Sequence, residues 1–145
     1  MGIWTHIAAI IRMDGIQDLV EFSQEDWDSI IGKEYQYGAD SSVRQDFRKH
    51  PENYLPGGSE GTLHKSIWVN PNKSHCDAYT ISIFGDLRDH YDIDTIIDWF
   101  NILCDKLIIR QACITVTNDI HGTKTVEYDK TRPTSRYSKI MEGED

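Results

Sequence analysis

Two histidines of the chain lie in short His-x-Ser/Thr motifs, His64-Lys65-Ser66 and His121-Gly122-Thr123. Two histidines on two strands can hydrolyse a phosphodiester, one as general base and the other as general acid. His64 lies in the middle of a predicted strand, but His121 lies in a predicted turn, where its ring would be poorly fixed. Such short motifs also arise by chance in a chain with six histidines. A two-histidine phosphodiesterase is therefore our lowest-ranked hypothesis, and we assign no catalytic residue.

A second candidate site is the predicted loop Gly85–Asp92, which we expect at the same end of the sheet as the predicted turn that follows Arg12. Carboxylate-rich clusters bind Mg²⁺ or Ca²⁺, and Asp14, Asp86, Asp89 and His90 would supply the ligands. Turn formation and helix capping explain the same residues, so we predict no metal and no other cofactor. The residues that remain candidates for binding at this loop are Arg12, Asp86, Arg88, Asp89 and His90.

Acidic residues are concentrated in two windows of the sequence. Asp14–Asp28 contains six acidic residues and no Lys or Arg, and Asp86–Asp105 contains six with only Arg88 against them. Both windows include predicted helices, so we expect the helical side of the fold to be strongly acidic. An acidic surface can compete with nucleic acid for a basic groove on a partner protein. The residues that we assign to this acidic layer are Asp14, Asp18, Glu21, Glu25, Asp26, Asp28, Asp94, Asp98 and Asp105.

Hydrophobic spacing predicts the elements that would position these residues. The clearest is an amphipathic helix whose apolar positions recur at i, i+3, i+4 and i+7, with Asp92 or Asp94 as its cap. Its apolar stripe is Ile93, Ile96, Ile97, Phe100, Leu103, Cys104 and Leu107. Period-two alternation predicts the strands. The remaining predicted elements are strands at Gly2–Arg12, Thr62–Val69, Ala78–Phe84, Ala112–Val116 and Thr123–Tyr128, and helices at Gln24–Ile31 and Ser42–Lys49.

The order of these elements, β-α-β-β-α-β with an added edge strand, predicts a ferredoxin-like α+β fold. In that fold an antiparallel sheet carries both helices on one face, and the first and third strands are central. The segment Lys33–Gly61 is an insertion with a short helix and a glycine-rich loop. We expect residues 1–128 to form one domain and residues 129–145 to form a flexible charged tail.

The sheet face opposite the helices is predicted to be unusually aromatic. Period two assigns to it Trp4, His6, Ile10, His64, Ser66, Trp68, Thr80, Ser82 and Phe84. The edge hairpin, the insertion or a second copy of the chain would be ordinary ways to cover such a face. The functional alternative is a platform on which a nucleotide base or a partner side chain stacks. The candidate ligand or dimer face therefore consists of Trp4, His6, His64, Trp68 and Phe84.

Composition narrows the class of partner. The formal net charge of −9 disfavours direct binding of a long nucleic acid or an anionic membrane, because phosphate neutralisation needs clustered Lys and Arg. The chain has no signal-peptide pattern and no run approaching the ~20 apolar residues of a membrane span. Its three cysteines are unclustered, which is typical of reduced thiols in a cytosolic protein. We expect a cytoplasmic protein.

Three segments carry a resemblance to a group of proteins, GIWTHIAAIIRMDGI, PGGSEGTLHKSIWVNP and YTISIFGDLRD. They resemble small uncharacterised proteins of bacteriophages and prophages of Gram-positive bacteria, over most of residues 1–128. The resemblance implies a context inside the bacterial host and an accessory role against host defence. Proteins of this kind include inhibitors of CRISPR nucleases and proteins that sequester nucleotide signals. No functional residue is carried over by it.

We therefore predict a non-enzymatic binding protein. The leading hypothesis is a phage-encoded inhibitor whose acidic layer occupies the basic groove of a nucleic-acid-handling host protein, such as a CRISPR nuclease. The runner-up is a protein that sequesters a small nucleotide-like ligand on the aromatic sheet face, with homodimerisation through that face as an alternative.

Overall fold

The structure is a computed structural model that describes residues 2–14, 24–36, 38–69, 78–90, 92–129 and 131. The strands are β1 (Trp4–Asp14), β2 (Glu60–Val69), β3 (Ala78–Arg88), β4 (Ile109–Asn118) and β5 (Gly122–Glu127). The helices are α1 (Gln24–Ile31), α2 (Ser41–Lys49) and α3 (Ile93–Asp105), and a 3-10 turn covers Pro51–Asn53. Within these residues, no helix combines the length and apolar character needed to cross a membrane.

The five strands form one antiparallel sheet in the order β2-β3-β1-β4-β5. The molecule is therefore an α+β protein, and the predicted extra edge strand is present as β5. β1 lies in the centre of the sheet and β3 next to it, as the sequence predicted. The predicted tail falls almost entirely outside the described residues.

Alternate residues of the strands point to opposite sides of the sheet and differ sharply in burial. On one side, Ile7 and Ile11 of β1, Ile81 of β3 and Ile114 of β4 are at most 3% exposed. They share one apolar core with residues of α1 and α3, among them Trp27, which packs edge-on against Tyr79. Both helices thus cover the same face. The opposite side, which we call the open face, carries the other set of side chains.

Helix α3 follows its sequence prediction closely. Its stripe from Ile93 to Cys104 is buried, and Leu107 lies just beyond its end and packs against the core. The Asp92 carboxylate accepts hydrogen bonds from the backbone N–H groups of Asp94 and Thr95, which is an N-cap. A hydrogen bond from the Thr95 side chain, followed by these backbone hydrogen bonds, lowers the pKa of Asp92.

The insertion packs along the free edge of β2 and not over the open face. Lys33 forms an isolated β-bridge with Tyr54, and the Glu34 carboxylate accepts a hydrogen bond from the backbone N–H of Lys65 at 2.8 Å. An aromatic cluster joins its parts, because Tyr35 stacks on Phe47 at 4.1 Å between ring centroids. The predicted short helix is confirmed as α2. The insertion therefore protects an edge strand from unwanted pairing.

Two predictions about the ends of the sheet are wrong. Asp86 and Arg88 belong to β3 and not to a loop, because β3 pairs with strands on both sides and Leu87 is fully buried. The loop that follows β3 also lies at the opposite end of the sheet from Arg12. Since β1 and β3 are antiparallel, Arg88 pairs with Trp4 while Arg12 pairs with Thr80.

Candidate functional site

The open face exposes four large apolar side chains on the three strands at one side of the sheet. Trp4 is 38% exposed, Ile10 55%, Trp68 56% and Phe84 49%. The predicted orientation of Trp4 and Trp68, away from the helices, is confirmed. The described part of the chain leaves these side chains in contact with solvent. Large apolar side chains that are exposed next to one another are typical of interaction sites, and in this register Ile10 is a diagonal neighbour of Phe84.

A histidine and a carboxylate face each other on the open face, near the start of β1 and the end of β3. His6 on β1 and Asp86 on β3 are directly opposite in register, and His6 Nδ1 lies 2.5 Å from Asp86 Oδ1. Both side chains are more than half exposed, at 56% and 55%. The sequence placed His6 on the face and Asp86 in a loop, so it could not pair them. The pair presents a carboxylate and an imidazole ring to solvent side by side.

A shallow depression of about 320 Å³ lies beside this pair, at the junction of β1, β3 and β4. Its lining residues are His6, Ile7, Ala8, Phe84, Gly85, Asp86, Thr115 and Thr117. Two hydroxyl pairs continue the surface onto the edge strand β5. Thr117 Oγ1 lies 2.6 Å from Thr123 Oγ1, and Thr115 Oγ1 lies 3.0 Å from Thr125 Oγ1. Sequence reasoning missed these threonines, whose signal is the Thr-x-Thr repeat in two neighbouring strands.

The two histidines of the proposed phosphodiesterase are far apart. His64 is on β2, where its ring contacts Phe84 edge-on at 5.4 Å and its Nδ1 lies 2.8 Å from Glu34 Oε1. His121 is in the exposed turn between β4 and β5. Three strand spacings of ~4.8 Å separate β2 from β4, so the two rings are ~14 Å or more apart. They are not placed to act on one phosphodiester within a single chain.

The residues at the end of β3 form separate contacts, apart from an ion pair of 4.0 Å between Arg88 and Asp89. The Asp89 carboxylate accepts a hydrogen bond from the Ser59 hydroxyl at 2.6 Å, and this bond lowers its pKa. Arg88 forms an ion pair with Glu60 at 2.8 Å. His90 is half-buried, and desolvation lowers its pKa. Within the described ranges, no group of three or more His, Cys, Asp or Glu side chains is arranged to hold a metal ion.

Several members of the predicted acidic layer are engaged within the protein. Asp28 pairs with the ammonium group of Lys65. Asp94 Oδ1 lies 3.2 Å from Lys124 Nζ, and Asp105 accepts a hydrogen bond from the Tyr128 hydroxyl at 2.7 Å. Glu25, Asp26 and Asp98 are exposed on the two helices. Asp18, Glu21 and the side chain of Asp14 lie outside the described residues.

No family model, no curated protein and no solved structure matches the chain. The functional assignment therefore depends on the open face. Its geometry combines exposed rings, one carboxylate beside an imidazole, and a row of hydroxyl groups. Such a surface can stack a planar group and form hydrogen bonds with its edge.

Proposed function

We propose that the chain is a non-enzymatic binding protein whose open face binds a small ligand with a planar aromatic group, such as a nucleotide. The observation that carries the proposal is the position of exposed Phe84 beside the depression that His6 and Asp86 line. A stacked ring and hydrogen bonds from nearby polar groups are the two means by which proteins hold single bases. Each base stacked on an aromatic side chain contributes ~1 to 3 kcal/mol.

Charge favours a small ligand over a long nucleic acid. The chain has a formal net charge of −9. Of the two arginines that the strand register places on this face, Arg12 and Arg88, the second is paired with Glu60, which reduces its capacity to neutralise a phosphate. A long nucleic acid gains affinity when clustered Lys and Arg side chains displace its condensed counterions into solution, and this surface offers few such side chains. A ligand held mainly through its ring avoids that requirement.

The test of this proposal is a binding titration of the wild-type protein and of Phe84→Ala with nucleosides. Perturbation of backbone amide shifts around Gly85 and Thr115 reports binding at the depression. The matched control is Ile108→Ala, because Ile108 is a 54% exposed apolar residue outside the strands. We expect Phe84→Ala to weaken binding at least ~5-fold, since a lost stack contributes 1 kcal/mol or more. Equal affinity in Phe84→Ala and in the wild type would exclude the open face as the binding surface.

The inhibitor hypothesis stays as a second proposal, because Asp98 and Asp94 are exposed one turn apart on α3. In this proposal the helical side blocks a basic groove on a host protein such as a CRISPR nuclease. The phage origin and the cytoplasmic location belong to the same proposal, as does the anti-defence role. The contacts of Asp28 and Asp105 within the protein reduce the number of carboxylates that are available to such a partner.

We also propose that the fold is of the ferredoxin-like type. The order β2-β3-β1-β4 and the placement of α1 and α3 on one face support this assignment. Helix α2 and strand β5 are then additions to the basic pattern. The sheet face that a ferredoxin-like fold leaves uncovered by helices is the open face, to which we assign ligand binding.

A further inference from the structure

We propose that the depression beside His6 and Asp86 is selective for guanine. This inference rests on the proposed function, and it names the base that the same surface recognises. The strand register places the polar groups in one row across four strands, namely Asp86, His6, Thr117 and Thr123. The neighbouring row contains Phe84, Ala8, Thr115 and Thr125. The depression lies between a carboxylate at one end and hydroxyl groups at the other.

The acceptor at one end of the depression is the Asp86 carboxylate. A carboxylate has only acceptor sites, about four lone-pair positions on its two oxygens. His6 Nδ1 uses one position on Oδ1 at 2.5 Å, which also holds the carboxylate in place. The side chain is 55% exposed, so its remaining positions are open to a ligand. Two adjacent donors on a ligand can therefore bind this group.

The donors at the other end come from the threonine pairs. In a pair of hydroxyl groups, one O–H is donated to the other oxygen, and the second O–H stays free to donate elsewhere. Both Thr115 and Thr117 belong to such pairs, with partners on β5 at 3.0 Å and 2.6 Å. When the β5 hydroxyl donates within the pair, the O–H of Thr115 or Thr117 remains to donate into the depression.

The floor between these groups is suited to a ring. Ala8 has no side chain beyond its Cβ, so the surface between Phe84 and Thr115 is low, and the depression measures about 320 Å³. That volume is at the lower end of small-molecule sites, for which ~300 to 1,000 Å³ is usual. The Phe84 ring is supported from behind by the edge-on ring of His64 at 5.4 Å. Phe84 is thereby held as a wall against which a base can stack.

Hydrogen-bond complementarity then selects the base. Guanine carries two adjacent donors, N1–H and the 2-amino group, next to the acceptor O6. Adenine and cytosine place one donor group beside an acceptor nitrogen, and uracil has one N–H between two carbonyls. Only guanine offers two neighbouring donors to Asp86 and an acceptor to a threonine hydroxyl. When the carboxylate faces another base, its oxygens and the acceptor atoms of that base are left without hydrogen-bond donors, which lowers the affinity for that base.

The test measures the affinities of the wild-type protein and of Asp86→Asn for guanosine, adenosine, cytidine and xanthosine by amide-shift titration. An amide presents one donor and one acceptor, which matches the N1–H and the 2-carbonyl of xanthosine and not the two donors of guanosine. We expect the wild type to prefer guanosine by about 10- to 100-fold, the usual discrimination of a bidentate contact. Asp86→Asn should lose that preference and gain affinity for xanthosine.

Two further variants keep the test decisive. Asp98→Asn removes the same charge at an exposed position of α3, away from the open face, and should leave all four affinities unchanged. Asp86→Glu keeps two acceptor oxygens, so it should retain the preference for guanosine over xanthosine. This variant tests the proposal even if Asp86→Asn fails to fold. Equal binding of all four nucleosides, still weakened by Phe84→Ala, would overturn guanine selectivity and leave the proposed function standing. No binding of any nucleoside would overturn both.

Discussion

The ammonium group of Lys65 on β2 contacts the carboxylate of Asp28 on α1 and the backbone carbonyl of Gly32 at the end of that helix. Lys65 points toward the helix-covered side, where its side chain is only 3% exposed, whereas that of Asp28 is 28% exposed. A buried cation needs such partners because desolvation is costly. Asp28 therefore has a structural role in joining α1 to the sheet, in addition to any role in an acidic surface.

The two partners of this pair should respond differently to substitution. Asp28→Asn leaves a buried ammonium group without its counter-charge and should lower the free energy of unfolding by ~3 kcal/mol. Lys65→Met removes the buried charge and keeps the volume, and the partly exposed Asp28 regains water. The Gly32 carbonyl loses its donor, so the cost should be ~1 to 2 kcal/mol, still less than that of Asp28→Asn. Urea denaturation of both variants measures the difference. Equal losses of unfolding free energy in the two variants would mean that the burial of the Lys65 charge does not determine the cost of breaking this ion pair.

Local patterns predicted the elements well, because they depend on neighbours in the sequence. The spacing from Ile93 to Cys104 gave the buried side of α3, and Asp92 has the residue type of a cap. Alternation gave the face of Trp4 and Trp68, since a strand residue is assigned to a side by parity alone.

Features that depend on strand register could not be predicted in the same way. The pairing of His6 with Asp86 joins residues 80 positions apart, and a shift by one residue would separate them. The Gly85-Asp86 sequence also resembles a turn, whereas here it continues a strand that is paired on both sides. The contact between Lys65 and Asp28 likewise depends on where α1 packs.

Gly85 should be required for the shape of the candidate site. Its φ is +154°, and a Cβ at this position would lie 2.1 Å from the backbone oxygen of Thr62 on β2. Gly85→Ala must therefore push β2 away or bend β3, at a cost of ~2 kcal/mol or more. We expect a lower melting temperature and altered amide shifts at Asp86. Gly38→Ala is the control, because its φ is also positive but nothing lies within 4 Å of its Cβ.

Ionisation of Tyr54 should lower the free energy of unfolding at high pH. Its hydroxyl donates a hydrogen bond to Asp46 Oδ2 at 2.5 Å, and this bond raises the pKa of Tyr54 from 10.0 to about 12. The unfolded chain then loses this proton before the folded chain does. The contribution is fully present below pH 10 and is lost as the pH rises toward 12.

The measurement for Tyr54 is the difference in unfolding free energy between the wild type and Tyr54→Phe, followed from pH 8 to pH 12. We expect the wild type to be more stable at pH 8 and the difference to shrink above pH 10. The chain has seven tyrosines, so the difference between the two proteins is needed to isolate one of them. A difference that stays constant over this range would contradict the raised pKa.

The acidic-surface proposal predicts an effect of charge on the helical side. Reversal of Asp94, Asp98 and Asp105 together should abolish inhibition of a CRISPR nuclease and leave the fold intact. Because Asp94 contacts Lys124 and Asp105 contacts Tyr128, the cleaner variant is Asp98→Lys with Glu25→Lys. Inhibition by the wild type should weaken steeply as salt rises. Inhibition that is unaffected by both the charge reversal and the salt would contradict this proposal.

Trp68 separates a ligand platform from a dimer interface on the open face. In a single chain its side chain is 56% exposed, so Trp68→Ala should change the stability of a monomer by less than ~0.5 kcal/mol. If two copies pack through this face, the tryptophan is buried in the dimer, and the same substitution should cost ~3 kcal/mol or more and yield a monomer. Sizing chromatography and thermal unfolding at two protein concentrations distinguish these outcomes. We expect a monomer whose melting temperature is independent of concentration, because our proposal leaves the face free for a small ligand. A wild-type dimer that Trp68→Ala dissociates would assign the open face to self-association.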